Sequence, residues 1–371
     1  MYLEAIILAS ILSPSFLAAS YAEQQFFDEA GFEISSTTPT PSAYLNAMET
    51  IRADSGSCGV AINEVAKKVY VTSYTANSLS VINSSTKSVV GAITVGRIPC
   101  AIAIDTQRNM VYVINELGNS ISVIDGATNH LVDTIEVTRP YEMIINPNTN
   151  LLYVTSDATD SVYIIDAQTK DLLNTLSISK PCGIAINRGT NTIYVTSEEA
   201  DLVSVINGSS QEVITSINVG KGPRGIDIDP HNNKIYVANT AAKSISLIDG
   251  SSNSLITTFL VEKAPWEVVV NPNTNMLYTI DRDANSVSII DTSTNNVLDS
   301  ITIQNPYEIA VGLETNSLYV TNRSNSLFVI AGDTTINPIS VTQVTIVAGI
   351  TCAVAAGGVI AIIIHRKKSK E

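Results

Sequence analysis

The chain is 371 residues long with a formal net charge of −14; hydrophobic residues make up 45% and charged residues only 15%. That balance excludes a disordered chain, which needs low hydrophobicity and high charge, and so acidic a surface repels phosphate backbones, which excludes nucleic acid as a partner. The four cysteines, with no CxxC pair, are too scattered to form a disulfide framework.

Residues 1–22, MYLEAIILASILSPSFLAASYA, read as a signal peptide. An apolar run from Ala5 to Ala19 precedes the small residues Ser20 and Ala22. Glu4, with no lysine or arginine beside it, is unusual for such a segment. Residues 23–42 end in ISSTTPTP and read as a flexible lead.

From residue 43 to 331 one unit repeats. Tyr-Val-Thr or a close variant recurs with tyrosines at Tyr70, Tyr112, Tyr153, Tyr194, Tyr236, Tyr278 and Tyr319, at intervals of 41 or 42 residues. Thirteen residues before six of them stands a proline (Pro99, Pro140, Pro181, Pro223, Pro265, Pro306); Ser57 holds that place in the first copy. The second copy shows the pattern. Strands are expected over 100–105, 110–115, 120–125 and 131–137, each rich in Val, Ile and Tyr and separated by Asn, Asp, Gly and Thr. Four strands that are apolar on both faces cannot fold alone, and radial stacking buries both faces. The period predicts an all-β, seven-bladed propeller of four-stranded antiparallel blades. The seventh copy lacks a fourth strand, and residues 43–53 (AYLNAMETIRA) are expected to supply it, closing the ring.

Residues 332–343 form a short linker, and 344–364 (VTIVAGITCAVAAGGVIAIII) are 21 residues without a charge, long enough for a transmembrane helix. The tail 365–371 carries Arg366, Lys367, Lys368 and Lys370. Positive residues stay on the cytoplasmic side, so the expectation is a single-pass membrane protein with an extracellular propeller.

The repeats resemble the YVTN-family β-propeller repeats known from archaeal surface-layer proteins. YVTS at Tyr70, Tyr153 and Tyr194, YVTN at Tyr319, the SVID-like ends at Asp125, Asp166 and Asp291, GRIPCAIAI at Gly96 and GKGPRGIDI at Gly220 carry the match. The resemblance implies a propeller whose relatives include surface proteins, lactonases and redox-cofactor enzymes.

In such a fold the residue after each repeat proline faces the channel mouth: Cys58, Cys100, Tyr141, Cys182, Arg224, Trp266 and Tyr307. The next positions hold Gly59, Ala101, Glu142, Gly183, Gly225, Glu267 and Glu308. Tyr141, Glu142, Arg224, Trp266, Glu267, Tyr307 and Glu308 are therefore the candidate ligand site, where flat aromatic faces beside carboxylates suit sugars or cations; aromatics that merely plug the channel are the alternative. Cys58, Cys100 and Cys182 would suit copper, with plain buried thiols or a Cys58–Cys100 disulfide at the edge of reach as alternatives. Asp281 and Asp283, in DRDAN, have the alternating oxygens of a calcium loop without its glycine and distal glutamate. The other acidic residues of this face, Asp157, Asp160, Glu198, Glu199 and Asp201, read as turn residues. Asn83, Asn207 and Asn322 begin N-glycosylation sequons in expected turns.

The propeller contains only His130 and His231, both at the opposite face, and no GxSxG, phosphate loop or CxxCH is present. No catalytic residue is singled out and no cofactor is expected beyond calcium or copper. The composite expectation is a cell-surface binding, adhesion or envelope-scaffold module with a protein or glycan ligand. The alternative is an extracellular enzyme, lactonase-like or redox-cofactor-dependent, working through Glu142, Glu267 and Glu308. Carboxylates close enough to shift one another's pKa would favour the enzyme.

Overall fold

The computed structural model describes residues 48–331, together with backbone pieces at 26–27, 33–34, 344–346, 350–352, 354–355 and 359–360. Residues 48–331 form seven four-stranded antiparallel sheets. Their inner strands are Ser57–Asn63, Pro99–Asp105, Met143–Asn146, Pro181–Asn187, Pro223–Asp229, Glu267–Asn271 and Pro306–Gly312, which define blades 1 to 7. In blade 2 the strands run Pro99–Asp105, Met110–Asn115, Ser120–Asp125 and His130–Glu136, within a residue of the expected bounds. Turns between them end on Asn109, Asn119 and Asn129, all at positive φ. Asparagine tolerates that left-handed backbone better than most residues, which explains its abundance here.

Apolar layers lie between blades. One joins Tyr70, Leu79, Val81 and Ile93 of blade 1 to Val111, Val113 and Ile124 of blade 2. Each Val, Leu or Ile so buried contributes roughly 1.5–3 kcal/mol. The repeat tyrosines reach across these layers: the Tyr153 hydroxyl donates to the Gly208 carbonyl (3.3 Å), and that of Tyr194 to Asn253 Oδ1 (3.0 Å), each in the next blade.

The ring closes as the sequence predicts. Met48–Arg52 is the fourth strand of blade 7, antiparallel to Ser326–Ile330, with Met48 opposite Ile330 and Ile51 opposite Leu327. Ile51, Tyr319 and Leu327 then pack against Val60, Val69 and Val71 of blade 1. The pairing of Met48 with Ile330 brings the first and last strands of the propeller together at the end at which each inner strand finishes.

At that end, asparagines link neighbours. Asn63 Nδ2 donates to Asn109 Oδ1 (3.0 Å), Asn146 to Asn191 (2.6 Å), Asn187 to Asn233 (2.5 Å) and Asn271 to Asn316 (3.1 Å).

The expected signal peptide and most of the expected lead lie outside the described residues, as do the expected linker and basic tail. The expected helix over 344–364 also lies largely outside them; the pieces described pair as strands, Val344–Ile346 with Ile350–Cys352 and Val354–Ala355 with Val359–Ile360. Among the described residues no helix is long and apolar enough to cross a membrane.

Candidate functional site

The inner strands start at the other end of the channel, and here the repeat is not uniform. In blades 1, 2, 4, 5 and 7 the pairing slips by one residue after the proline position; in blade 2, Pro99 lies opposite Asn115 but Ile102 opposite Val113. In blades 3 and 6 the ladder begins only after the aromatic residue, at Met143 and Glu267. Ahead of that start Tyr141 N–H donates to the Thr155 carbonyl (2.8 Å) and Trp266 N–H to that of Ile280 (2.7 Å), each one residue off the register that follows.

A threonine two residues after the repeat tyrosine clamps most neighbours. Thr72 Oγ accepts from Gly59 N–H (2.7 Å) and donates to the Cys100 carbonyl (2.8 Å) of the next blade. Thr155 likewise donates to the Cys182 carbonyl (3.0 Å), Thr196 to that of Arg224 (2.7 Å), and Thr321 to that of Cys58. Blades 2, 5 and 6 carry Ile114, Ala238 and Ile280 there instead. The blades that follow them, 3, 6 and 7, are the ones with the aromatic–glutamate pair. The small residues are explained by the same contacts: a Cβ on Gly59 would collide with the Cys100 carbonyl, and one on Gly183 with that of Arg224.

All seven candidate residues line one hollow of about 540 Å3, open mouth included, with Cys58, Cys100, Cys182 and Arg282. Across blades 5 to 7 they form a stacked series. The guanidinium of Arg224 lies 3.9 Å from the Trp266 ring centroid, and Arg282 lies 3.8 Å from Trp266 and 3.9 Å from Tyr307. Arg323 follows, 4.3 Å from Tyr307. Cation–π contacts of this kind are worth about 0.5–2 kcal/mol each. Arg224 is ion-paired to Glu198 at 2.5 Å. Arg282 donates to the Tyr307 carbonyl (3.2 Å), while its Nε is buried without a protein partner.

Sequence reasoning placed the aromatics correctly but left their faces free for sugars or cations. The protein's own guanidinium groups occupy the faces of Trp266 and Tyr307. Arg282 and Arg323 were missed because they sit in turns. Their signal was present: they stand four residues after the repeat tyrosine, in register with Tyr74, Glu116, Asp157, Glu198 and Thr240.

The three glutamates converge electrostatically. Burial pushes Glu142 up to about 7. Burial, then the charge of Glu142, pushes Glu267 up to about 8. Burial, then Glu267 and Glu142, holds Glu308 well above the carboxylate range. Just below them burial raises Asp227 to about 6, although its carboxylate accepts from Val270 N–H (2.8 Å). Around neutral pH the three glutamates therefore keep much of their protons and act as hydrogen-bond donors.

The metal candidates do not assemble. Asp281 is buried, and accepts from Thr279 (3.0 Å), Ser288 (2.5 Å) and Ser286 (3.4 Å). It fills the place that Asn115 and Asn239 take in blades 2 and 5, where their Nδ2 groups donate to paired serines. That corrects the calcium reading, since its oxygens are already engaged and Asp283 is exposed. Asp160 and Asp201 are turn residues, accepting from Lys180 N–H and Gly222 N–H (both 2.9 Å). The three thiols do not meet: Cys58 and Cys100 have Sγ atoms 3.2 Å apart, whereas Cys182, in blade 4, contacts Glu198 at 3.5 Å. Among the described residues no group of three or more His, Cys, Asp or Glu is placed to hold a metal ion. Asn83, Asn207 and Asn322 each close a strand rather than sit in a turn; Asn83 and Asn207 are half-buried there, whereas Asn322 is buried, which removes it as a glycan acceptor.

No family model and no curated protein matches the chain. Among solved structures, a chain of hydrazine synthase from Kuenenia stuttgartiensis is similar, with a TM-score of 0.69 and 16% identity over 76% of this chain and 97% of that one. At that identity the likeness shows the fold alone. This chain is a seven-bladed β-propeller.

Proposed function

We propose that the protein is a membrane-held, extracellular binding propeller whose hollow takes a small anionic ligand such as a carboxylate. The observation that carries this reading is Arg282, wedged between Trp266 and Tyr307 with Nε unpartnered, beside three carboxyls that retain protons at neutral pH. A guanidinium and protonated acids offer hydrogen-bond donors to an anion. The apolar run 344–364 with its basic flank supports the membrane attachment, and the repeat resemblance supports the cell-surface address.

Trp266 is the only tryptophan in the chain, so its fluorescence reports on the hollow directly. Titrating the protein with acetate, malonate or citrate should change that signal. Affinity should fall as pH rises from about 6 to beyond 8, because Glu142 and Glu267 lose their protons over that range. Arg282→Ala should abolish the response. Calcium binding that tightens with rising pH, with no response to any carboxylate, would overturn the assignment.

One observation favours the enzyme reading. Glu267 and Glu308 are raised by their neighbouring carboxyls, so near neutral pH one acid is charged while another holds its proton, as general acid–base chemistry requires. That reading expects turnover of a small ester such as a lactone, with a bell-shaped pH profile whose limbs fall near 7 and 8. A pH-rate profile on a chromogenic lactone tests it.

A further inference from the structure

Cys58 and Cys100 hold the same position in blades 1 and 2, the residue after the repeat proline or its serine stand-in. Their Sγ atoms are 3.2 Å apart, in hydrogen-bond contact, although 42 residues separate them. The backbones are equally close, since no Cβ fits on Gly59 beside the Cys100 carbonyl, and Thr72 ties Gly59 N–H to that carbonyl. Thiols held this near need only a small shift to reach bonding distance. Cys182 supplies an internal contrast: its ring neighbours are Tyr141 and Arg224, and its sulfur faces Glu198.

We infer that Cys58 and Cys100 form a reversible disulfide that staples blade 1 to blade 2 at the wall of the hollow. The step is thiol–disulfide exchange with a small-molecule disulfide. Cys100, the more accessible sulfur, attacks as the thiolate and forms a mixed disulfide, releasing one small thiol. Cys58 then loses its proton and attacks Cys100 Sγ, expelling the second small thiol. Two protein S–H bonds and one small-molecule S–S bond are lost; one protein S–S bond and two small thiols are formed. In the reduced protein the hydrogen bond to Cys100, then burial, holds the Cys58 thiol well above its ordinary range. The first step removes the Cys100 part of that effect, which readies Cys58 for the second.

The staple is independent of what the hollow binds, so its test does not depend on a ligand. The full-length chain is incubated with oxidised glutathione, alkylated under denaturing conditions without reductant, digested, and mapped by mass spectrometry. The expected result is one cross-linked pair, the peptide holding Cys58 joined to that holding Cys100, two hydrogens lighter than the separate peptides. Cys182 should be recovered alkylated, and dithiothreitol should restore both free thiols. Cys182→Ser should leave the cross-link intact, whereas Cys58→Ser or Cys100→Ser should abolish it. The oxidised chain should also melt at a higher temperature than the reduced one. Recovery of Cys58 and Cys100 as alkylated thiols after oxidation, or a cross-link through Cys182, would overturn the inference; the wild-type map decides this without any variant.

Discussion

The two ends of the inner strands obey different rules. Where the strands finish, asparagine pairs such as Asn63–Asn109 and Asn187–Asn233 recur from blades 1, 3, 4 and 6, and each of those donors has its acceptor. Where they start, seven positions carry cysteine, tyrosine, arginine or tryptophan, and the next positions carry glycine, alanine or glutamate. Uniformity at one end marks groups that satisfy one another. Variety at the other leaves carboxyls far from their ordinary pKa and a guanidinium nitrogen without a partner. A ring of repeats thus separates what holds the fold from what the fold presents.

Three measurements would break or sharpen that contrast. The largest effect is expected at Gly59, where Gly59→Val drives a side chain into the Cys100 backbone and should cost upwards of roughly 3 kcal/mol in denaturant unfolding. Tolerance there would mean that the blades can separate at the hollow. Next comes Thr196→Val, which keeps the shape but leaves Gly183 N–H and the Arg224 carbonyl without their hydroxyl, at a cost of roughly 2 kcal/mol. The smallest, taken per acid and per pH unit, is a dependence on pH. The unfolded chain's glutamates ionise near 4.5, while Glu267 keeps its proton to about 8. Stability should therefore fall as pH rises between those values and then level off, by at most about 1.4 kcal/mol per pH unit for each such acid. Glu267→Gln should flatten that slope in melting curves from pH 5 to 9; an unchanged slope would show that the acids are solvated.

Much of the fold was legible because a fixed period is hard to misread. Seven tyrosines set the blade count, and the missing fourth strand after Ser326–Ile330 pointed to the N-terminal segment, which the structure places there as Met48–Arg52. The candidate residues were found because a proline stands at or just before the start of six of the seven inner strands. Arg282 was not found, since it stands in a polar run whose aspartates drew the reading toward calcium. Nor does a period reveal where pairing begins: the inner strands of blades 3 and 6 start only after Tyr141 and Trp266, whereas the others start at the proline or its serine stand-in. The closeness of Cys58 to Cys100 was underestimated for the same reason, because the approach of adjacent inner strands is set by Gly59 and Thr72 rather than by spacing along the chain.

Since Met48 and Ile330 lie side by side at the far end from the cavity, a linkage made at either of these residues leaves the propeller on the side away from Trp266. Capture on a sensor chip through a site at Met48 or Ile330 would leave the mouth unobstructed, so the same immobilised sample could serve for carboxylates, cations and larger partners alike.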